Sequence, residues 1–416
     1  MKFSPAATFL LTGTYIAAAI GVPYEATVLD RGVNVACERP VVLNASTNIW
    51  KSYSLHPDAI YQNLLQTATT SITDADLKQK ALKLASVGTF VRISDREQIS
   101  RIKEVVKDVP CHHILGLVLD GLPLKKCPGT GPGPTEDPWS YAEEYIDPIA
   151  ATLKANPNTA FALIFEPDAI LDVVANGTLL ACQQLVKSYR TNVPYALRAL
   201  NLPNVIQYLD ACHGGCFGWK KTQKPGAQEL INTWTAAGKP SQFRGVAVNV
   251  AGYNAWNLSP GEKFKDEDTC YDVYNPARNE KRYLQILNKT IGETDMPFHA
   301  IMDSSRAGVQ GIRYHWKDYC NVNEAGFGPV FSNITKDPFL DAFVWAKWGG
   351  ESDGTNDTNT STYDRPCGLP DAFQPMPEKG QWSQPYFEML LRNWKQKWDP
   401  TFPKQRQPAK ISPRCG

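Results

Sequence analysis

Past its first twenty residues the sequence has no run long and apolar enough to cross a membrane as a helix, so no membrane partner is expected. Neither sign of charge dominates, since 43 Lys and Arg oppose 42 Asp and Glu for a net +1. That balance leaves no basic footprint, and nucleic acid is not an expected partner. The G-x-S-x-G of a nucleophile elbow is missing, and so is the H-E-x-x-H of a zinc helix. The glycine run Gly129-x-Gly131-x-Gly133 is interleaved with proline and follows no strand at the right distance, so it is a poor dinucleotide loop. No cofactor is expected. His112 and His113 are adjacent and do not share a helix face, which argues against a ligand pair. There is no internal repeat and no Ser/Thr/Pro stalk. Residues 20–416 therefore read as one domain with no separate small binding module, expected to be monomeric.

The extreme N-terminus reads as a signal peptide over residues 1–19. Lys2 gives the early charge, 9–16 the apolar stretch, and Ala17-Ala18-Ala19 a cleavage site. A secreted, extracellular chain makes disulfides of its ten cysteines, and their even number agrees, although spacing alone does not pair them. Seven N-x-S/T sequons begin at Asn44, Asn176, Asn257, Asn288, Asn333, Asn356 and Asn359, which fits a glycosylated protein. Eleven Trp and 17 Tyr supply core, and also flat faces on which a polyol ligand could stack.

Short unalternating apolar runs recur at 89–93, 114–119, 160–165, 205–209, 245–248, 298–302 and 343–346. Runs of that length suit parallel strands covered on both faces. Helical patterns at 95–107, 179–200 and 279–291 lie between them, and the alternation predicts a parallel α/β architecture. The runs end at or near Asp120, Glu166, Asp210, Asn249, Asp303 and Lys347. In an α/β barrel those ends converge on one face, where active sites sit.

Two blocks concentrate the chemistry: Phe165-Glu166-Pro167-Asp168, and Ala346-Lys347-Trp348-Gly349-Gly350-Glu351-Ser352-Asp353-Gly354. Between them, 208–219 holds Asp210, His213 and Trp219, with a Cys212-His213-x-x-Cys216 spacing. That spacing is conceivable as a metal site, but oxidised cysteines are the preferred reading and no metal is expected. Paired carboxylates beside aromatic platforms are what glycoside hydrolysis uses.

With Asn201-Leu202-Pro203-Asn204, Gly252-Tyr253-Asn254-Ala255-Trp256-Asn257, Asp341-Ala342-Phe343-Val344-Trp345 and Leu369-Pro370-Asp371-Ala372 in the same order, the chain resembles glycoside hydrolase family 6. These are cellobiohydrolases and endoglucanases that cleave β-1,4-glucan with inversion. The resemblance implies a distorted parallel barrel of about seven strands, helices outside, with two loops roofing the cleft at the C-terminal strand ends. It makes Asp168 the general acid, which burial would help keep protonated, and Asp353 part of the base machinery. It assigns glucan binding to Asp210, His213, Trp219, Asn249, Trp256, Tyr319, Lys347 and Glu351. It pairs Cys127 with Cys182 and Cys320 with Cys367, leaving Cys37, Cys111, Cys212, Cys216, Cys270 and Cys415 open.

The chain departs from the family pattern around 119–127. Leu119 replaces a tyrosine, Lys126 replaces an aspartate that supports the acid, and one residue is inserted. Arg92, Cys216 and Tyr319 stand where tryptophan platforms are usual. An ammonium beside Asp168 would favour the ionised acid. The insertion could instead turn Lys126 outward and leave Asp120, Glu136 or Asp137 nearer. Two expectations stay open: a β-glucan hydrolase, or a catalytically impaired glucan-binding protein on the same fold.

Overall fold

Eight parallel strands wrap around one axis in a computed structural model that describes residues 36–125, 127, 139–259, 261–266 and 269–395. Residues 1–19, expected to be a signal peptide, lie outside the described residues, as do Lys126, Glu136, Asp137 and the glycine run. The described residues all fall in one compact unit.

The strands are β1 (Ser54–Leu55), β2 (Val91–Ile93), β3 (His113–Leu119), β4 (Ala160–Phe165), β5 (Val205–Asp210), β6 (Phe243–Val248), β7 (His299–Asp303) and β8 (Leu340–Val344). From β3 to β8 each strand pairs with the next in sequence order. β1 and β2 share the remaining edge of β3: Ser54 and Leu55 lie opposite His113 and Ile114, while Val91 to Ile93 lie opposite Leu117 to Leu119. Eight strands thus fill seven positions. The gap between first and last positions is bridged where the Phe90 N–H donates to the Trp345 carbonyl at 2.8 Å. The result is a nearly closed, seven-position barrel, with the parallel α/β architecture that the apolar runs predict and the strand number that the resemblance implies. Every strand-to-strand crossover from β3 to β8 contains helix except β7 to β8, which is a long loop spanning 304–339.

Alternation along each strand sorts the side chains into two cores. Ile114, Val118, Ala160, Ala162, Ile164, Ile206, Tyr208, Ala247, Ile301, Ala342 and Val344 pack in the barrel interior. Leu115, Leu117, Leu119, Phe161, Leu163, Phe165, Leu209, Val246 and Met302 face the helices. Alanine and glycine recur inside because a closed barrel has little room there. At Gly116 a side-chain Cβ would stand 2.6 Å from the Phe90 ring.

The same alternation carries the interior register past the strand ends. Asp120 follows Val118, Glu166 follows Ile164, Asp210 follows Tyr208, Asn249 follows Ala247 and Asp303 follows Ile301. The pleat therefore aims five polar side chains at the axis above the apolar interior. Leu119 takes the opposite phase and is buried toward the helices, so Asp120 holds the axial position at the end of β3.

The opposite end of the barrel is sealed by a paired network. Arg244 grips Asp341 through two contacts of 2.8 Å, and both are only 4% exposed. Tyr208 donates to the same carboxylate at 3.2 Å and accepts from the Trp50 indole at 2.9 Å. Asp341 also explains why the last strand begins three residues before the apolar run at 343–346: a charge sits inside it, satisfied by Arg244 and Tyr208.

Candidate active site

The turn after β4 does most to shape the site. Glu166 and Asp168 both adopt left-handed backbone, with φ of 46° and 66°. Such conformations are costly for non-glycine residues and persist only where surrounding contacts enforce them. Those contacts are visible. The buried Glu166 carboxylate accepts from the Gly121 N–H at 3.1 Å, the Leu122 N–H at 3.0 Å and the Tyr141 hydroxyl at 2.8 Å. Asp210 accepts the Asp168 N–H at 2.9 Å and the Cys212 N–H at 3.0 Å through one oxygen. Its other oxygen is buried without a hydrogen-bond partner. Burial, reinforced by the negative charge of Asp168, pushes the Asp210 carboxyl up to about 8.

Asp168 itself is exposed. The burial expected of it falls on Asp210 instead, because the left-handed turn swings the Asp168 side chain off the barrel axis and out to the opening. Among Asp120, Glu166, Asp168, Asp210, Asp303, Glu351 and Asp353 it is the one exposed carboxylate.

Asp353 sits in a different setting. It takes the Arg306 guanidinium at 2.7 Å, the Asn321 N–H at 2.9 Å and the Tyr253 hydroxyl at 3.3 Å on one oxygen, with the Lys347 ammonium 3.6 Å from the other. The Asn321 side chain in turn accepts the Asp353 N–H at 2.7 Å. Burial alone would raise this carboxyl, but Arg306 and then Lys347 outweigh it and hold it at about 2. Arg306 is 1% exposed and lies 4.3 Å over the Tyr253 ring, a cation–π contact that fixes it further. Lys347 also pairs with Glu351 at 2.5 Å.

The segment after β3 brings in a third group of charges. Asp120 pairs with both Arg92 and Lys125, and Lys125 lies 3.6 Å from Glu166. Burial lowers the Lys125 ammonium to about 8, although Glu166 opposes the shift. Lys126 lies outside the described residues. The cation that the structure places against the acid turn is Lys125.

The remaining expected residues divide. His213 caps the short helix Gly214–Phe217, its Nδ1 accepting from the Gly215 N–H at 3.0 Å, and burial followed by Arg313 lowers it to about 3. It is a neutral imidazole whose Nε2 carries the proton. Trp219 is half-buried and donates from its indole to the Gly215 carbonyl at 2.6 Å. Tyr319 is exposed and donates to Asp364 at 2.9 Å. Asn249 does not reach the opening. It is fully buried, and its amide ties Asp303 to Asn254 through bonds of 2.8 and 3.1 Å. Trp256 is 4% exposed and packs edge-on to Phe343 in the helix-facing core, which leaves no face for a sugar.

Among the described residues four disulfides are present: Cys37–Cys111, Cys127–Cys182, Cys212–Cys216 and Cys320–Cys367. Two are the pairs implied by the resemblance. The third closes the Cys-His-x-x-Cys spacing, so the sulfurs bond to each other, and Cys212 Sγ lies 3.9 Å from an Asp168 oxygen.

Residues 50–394 match the pattern of the glycosyl hydrolases family 6. This chain belongs to that family. It is 44% identical to a 1,4-β-D-glucan cellobiohydrolase CEL6C of Podospora anserina, over 94% of this chain and 98% of that protein. Its fold superposes on cellobiohydrolase Cel6A of Humicola insolens in complex with methyl-tetrathio-α-D-cellopentoside. There the TM-score is 0.77 at 32% identity, covering 85% of this chain and 99% of the other. Endoglucanase CEL6B from Humicola insolens also matches, with a TM-score of 0.72 at 29% identity, over 83% of this chain and 98% of that one. The chain is a family 6 glycoside hydrolase, and the strand-end cluster is where an enzyme of this architecture works.

Sequence reasoning missed Arg306, Tyr253, Asn321 and Lys125 as members of that cluster. Arg306 had a usable signal, since it follows the strand-end block Asp303-Ser304-Ser305. Asn321 had none, because it comes from a long loop whose path depends on the rest of the fold.

Proposed function

We propose that this family 6 enzyme is a secreted hydrolase of β-1,4-glucan that acts with inversion, with Asp168 as general acid and Asp353 in the base machinery. The observation that carries this reading is the contrast between the two carboxylates. Asp168 alone stands exposed at the opening, free to meet a glycosidic oxygen. Asp353 is fixed and ionised by Arg306 and Lys347.

A glycosidic oxygen leaves readily only if protonated as the bond breaks, which is the role of Asp168. A carboxyl held at about 2 is a weak proton acceptor, so Asp353 acts by orienting the attacking water and by facing the positive charge that develops on the sugar. The proton passes from that water into solvent. The neutral His213 offers its Nε2–H to a sugar hydroxyl, and Trp219 and Tyr319 offer ring surface. The disulfides support secretion, as do the sequons in the sequence.

One observation favours a second reading, a slow enzyme that mainly binds glucan. The Lys125 ammonium lies among Asp120, Glu166 and the acid turn, and an ammonium near a carboxylic acid favours its ionised, inactive form. The deciding experiment measures reducing-sugar release from a panel of β-glucans beside binding isotherms on the same panel, with the anomer of the first product read by NMR. Release of α-anomer from a β-1,4-glucan is the expected result. Tight binding without release would select the second reading, and initial β-anomer would sink inversion. Replacing Lys125 with Met should raise the rate and move the alkaline limb of the pH–rate profile upward if the cation restrains the acid.

A further inference from the structure

One of the four disulfides spans almost no chain. Cys37–Cys111, Cys127–Cys182 and Cys320–Cys367 join residues 74, 55 and 47 apart, whereas Cys212 and Cys216 are 4 apart. A bridge restrains the unfolded chain less the shorter the loop it closes, so this one has the least to offer global stability. The resemblance leaves the pair without a counterpart, and Cys216 stands where a tryptophan platform is usual.

Its location gives it another use. Cys212 lies two residues past β5, buried and in left-handed backbone with a φ of 56°. Its N–H donates at 3.0 Å to the same Asp210 oxygen that takes the Asp168 N–H at 2.9 Å, so the two turns hang from one atom. Its carbonyl accepts the Asn249 N–H at 2.8 Å. Its Sγ stands 3.9 Å from an Asp168 carboxylate oxygen. Cys216 lies on the short helix that His213 caps. One covalent bond thus ties the turn that backs Asp168 to the helix that follows His213.

The chemistry of the sulfur matters as well as its place. Among the described residues no N–H or O–H donates to the Asp168 carboxylate. A bridged sulfur has no S–H and adds none. A free Cys212 thiol in the same place would be a donor, and a hydrogen bond to a carboxylate favours its ionised form.

We propose that the Cys212–Cys216 disulfide positions the general acid: it holds the Cys212 turn against Asp168 and keeps that flank free of hydrogen-bond donors. The inference rests on Asp168 being the acid. Asp210 at the end of β5, Lys125 after β3, Tyr319 in the β7–β8 loop and Lys379 also interact electrostatically with Asp168, and the test leaves all four in place.

Peptide mapping without reduction should first find Cys212 linked to Cys216, and free thiols there would overturn the inference. The test proper is kcat and KM on a soluble β-1,4-glucan across pH for the wild type, Cys216→Ala and Cys212→Gly/Cys216→Ala. Cys216→Ala opens the bridge and leaves a thiol facing the acid. Its kcat should fall roughly tenfold, within the cost of a slightly misplaced catalytic group, with KM nearly unchanged. The alkaline limb of its pH–rate profile should move to lower pH. The double variant removes the thiol and gives the left-handed turn a residue that suits it. Its alkaline limb should return to the wild-type position while kcat stays low, because the turn is no longer tied. A wild-type kcat and pH profile in Cys216→Ala would overturn the inference and leave the acid assignment standing. Full activity in Asp168→Asn would overturn both. A limb displaced equally in the two cysteine variants would overturn the role given to the sulfur. If neither variant folds, the bridge serves the fold and the inference is overturned.

Discussion

The two ends of the barrel treat charge in opposite ways. At the end where the strands begin, Arg244 and Asp341 neutralise each other in two contacts, with Tyr208 and Trp50 completing the network. At the end where the strands finish, carboxylates are gathered faster than cations can satisfy them. Asp210 keeps one buried oxygen without a donor, and Glu166 and Asp168 sit in strained backbone. The first end stabilises the fold. The second stores unfavourable electrostatics that a substrate or a proton relieves, which is the usual trade between stability and reactivity.

The sharpest way to break the comparison is to remove one acid from each end. Asp168→Asn should cut turnover by roughly 10²- to 10⁴-fold, the usual worth of a general acid, with binding and melting temperature nearly unchanged. Full activity in that variant would take Asp168 out of the acid role. Asp341→Ala should do the reverse. It leaves Arg244 buried and unpaired, which costs about 3–5 kcal/mol. Denaturant midpoints should fall while the pH–rate profile of the folded fraction keeps its shape.

The ends should also respond oppositely to pH. The folded Asp210 carboxyl stands at about 8, above its ordinary 3.8. The folded state therefore holds this proton more tightly than the unfolded chain. The resulting stabilisation is fully present below the unfolded value and is lost as pH rises toward about 8. Asp210→Asn should flatten that decline, and a melting temperature falling equally in both proteins between pH 5 and 8 would contradict the assignment.

The smallest expected effect belongs to His56, just past the end of β1 and beside the start of β3. Its Nδ1 lies 3.3 Å from that of His113. Burial, then His113, lowers it from 6.5 to about 4. A depressed histidine favours proton uptake by the unfolded chain, so stability is lost as pH falls from 6.5 toward about 4. His56→Gln should flatten the acid side of the stability profile while leaving the alkaline side to Asp210. A variant with the wild-type acid slope would assign that slope elsewhere.

Much of this was legible in the residues. The interior strands are unbroken apolar runs, because both faces of a barrel strand are buried, and 160–165 coincides with β4 residue for residue. The strand-end polar residues could be named in advance because period-two alternation makes their direction a property of local geometry. The blocks around Asp168 and Asp353, with those at 201–204, 252–257, 341–345 and 369–372 in the same order, were enough to mark the resemblance to its family.

What the sequence withheld depended on partners distant in the chain. The two-residue β1 carries no pattern and exists only because the edge of β3 was open to it. Asn249 and Trp256, which the resemblance assigns to glucan binding, are buried. Burial is a sum over neighbours from several elements, and no local pattern encodes it. Contacts to Asp120 and Glu166, which no spacing encodes, place Lys125 against the acid turn, while Lys126 lies outside the described residues. By itself the sequence determined strands β2 to β8 and the polar residues that end or follow them, since these come from alternation and local motif. Only the tertiary structure decided that Asp168 is exposed and Asp210 buried, and that Arg306 fixes Asp353. Desolvation and charge pairing act through space, between residues that the chain holds far apart.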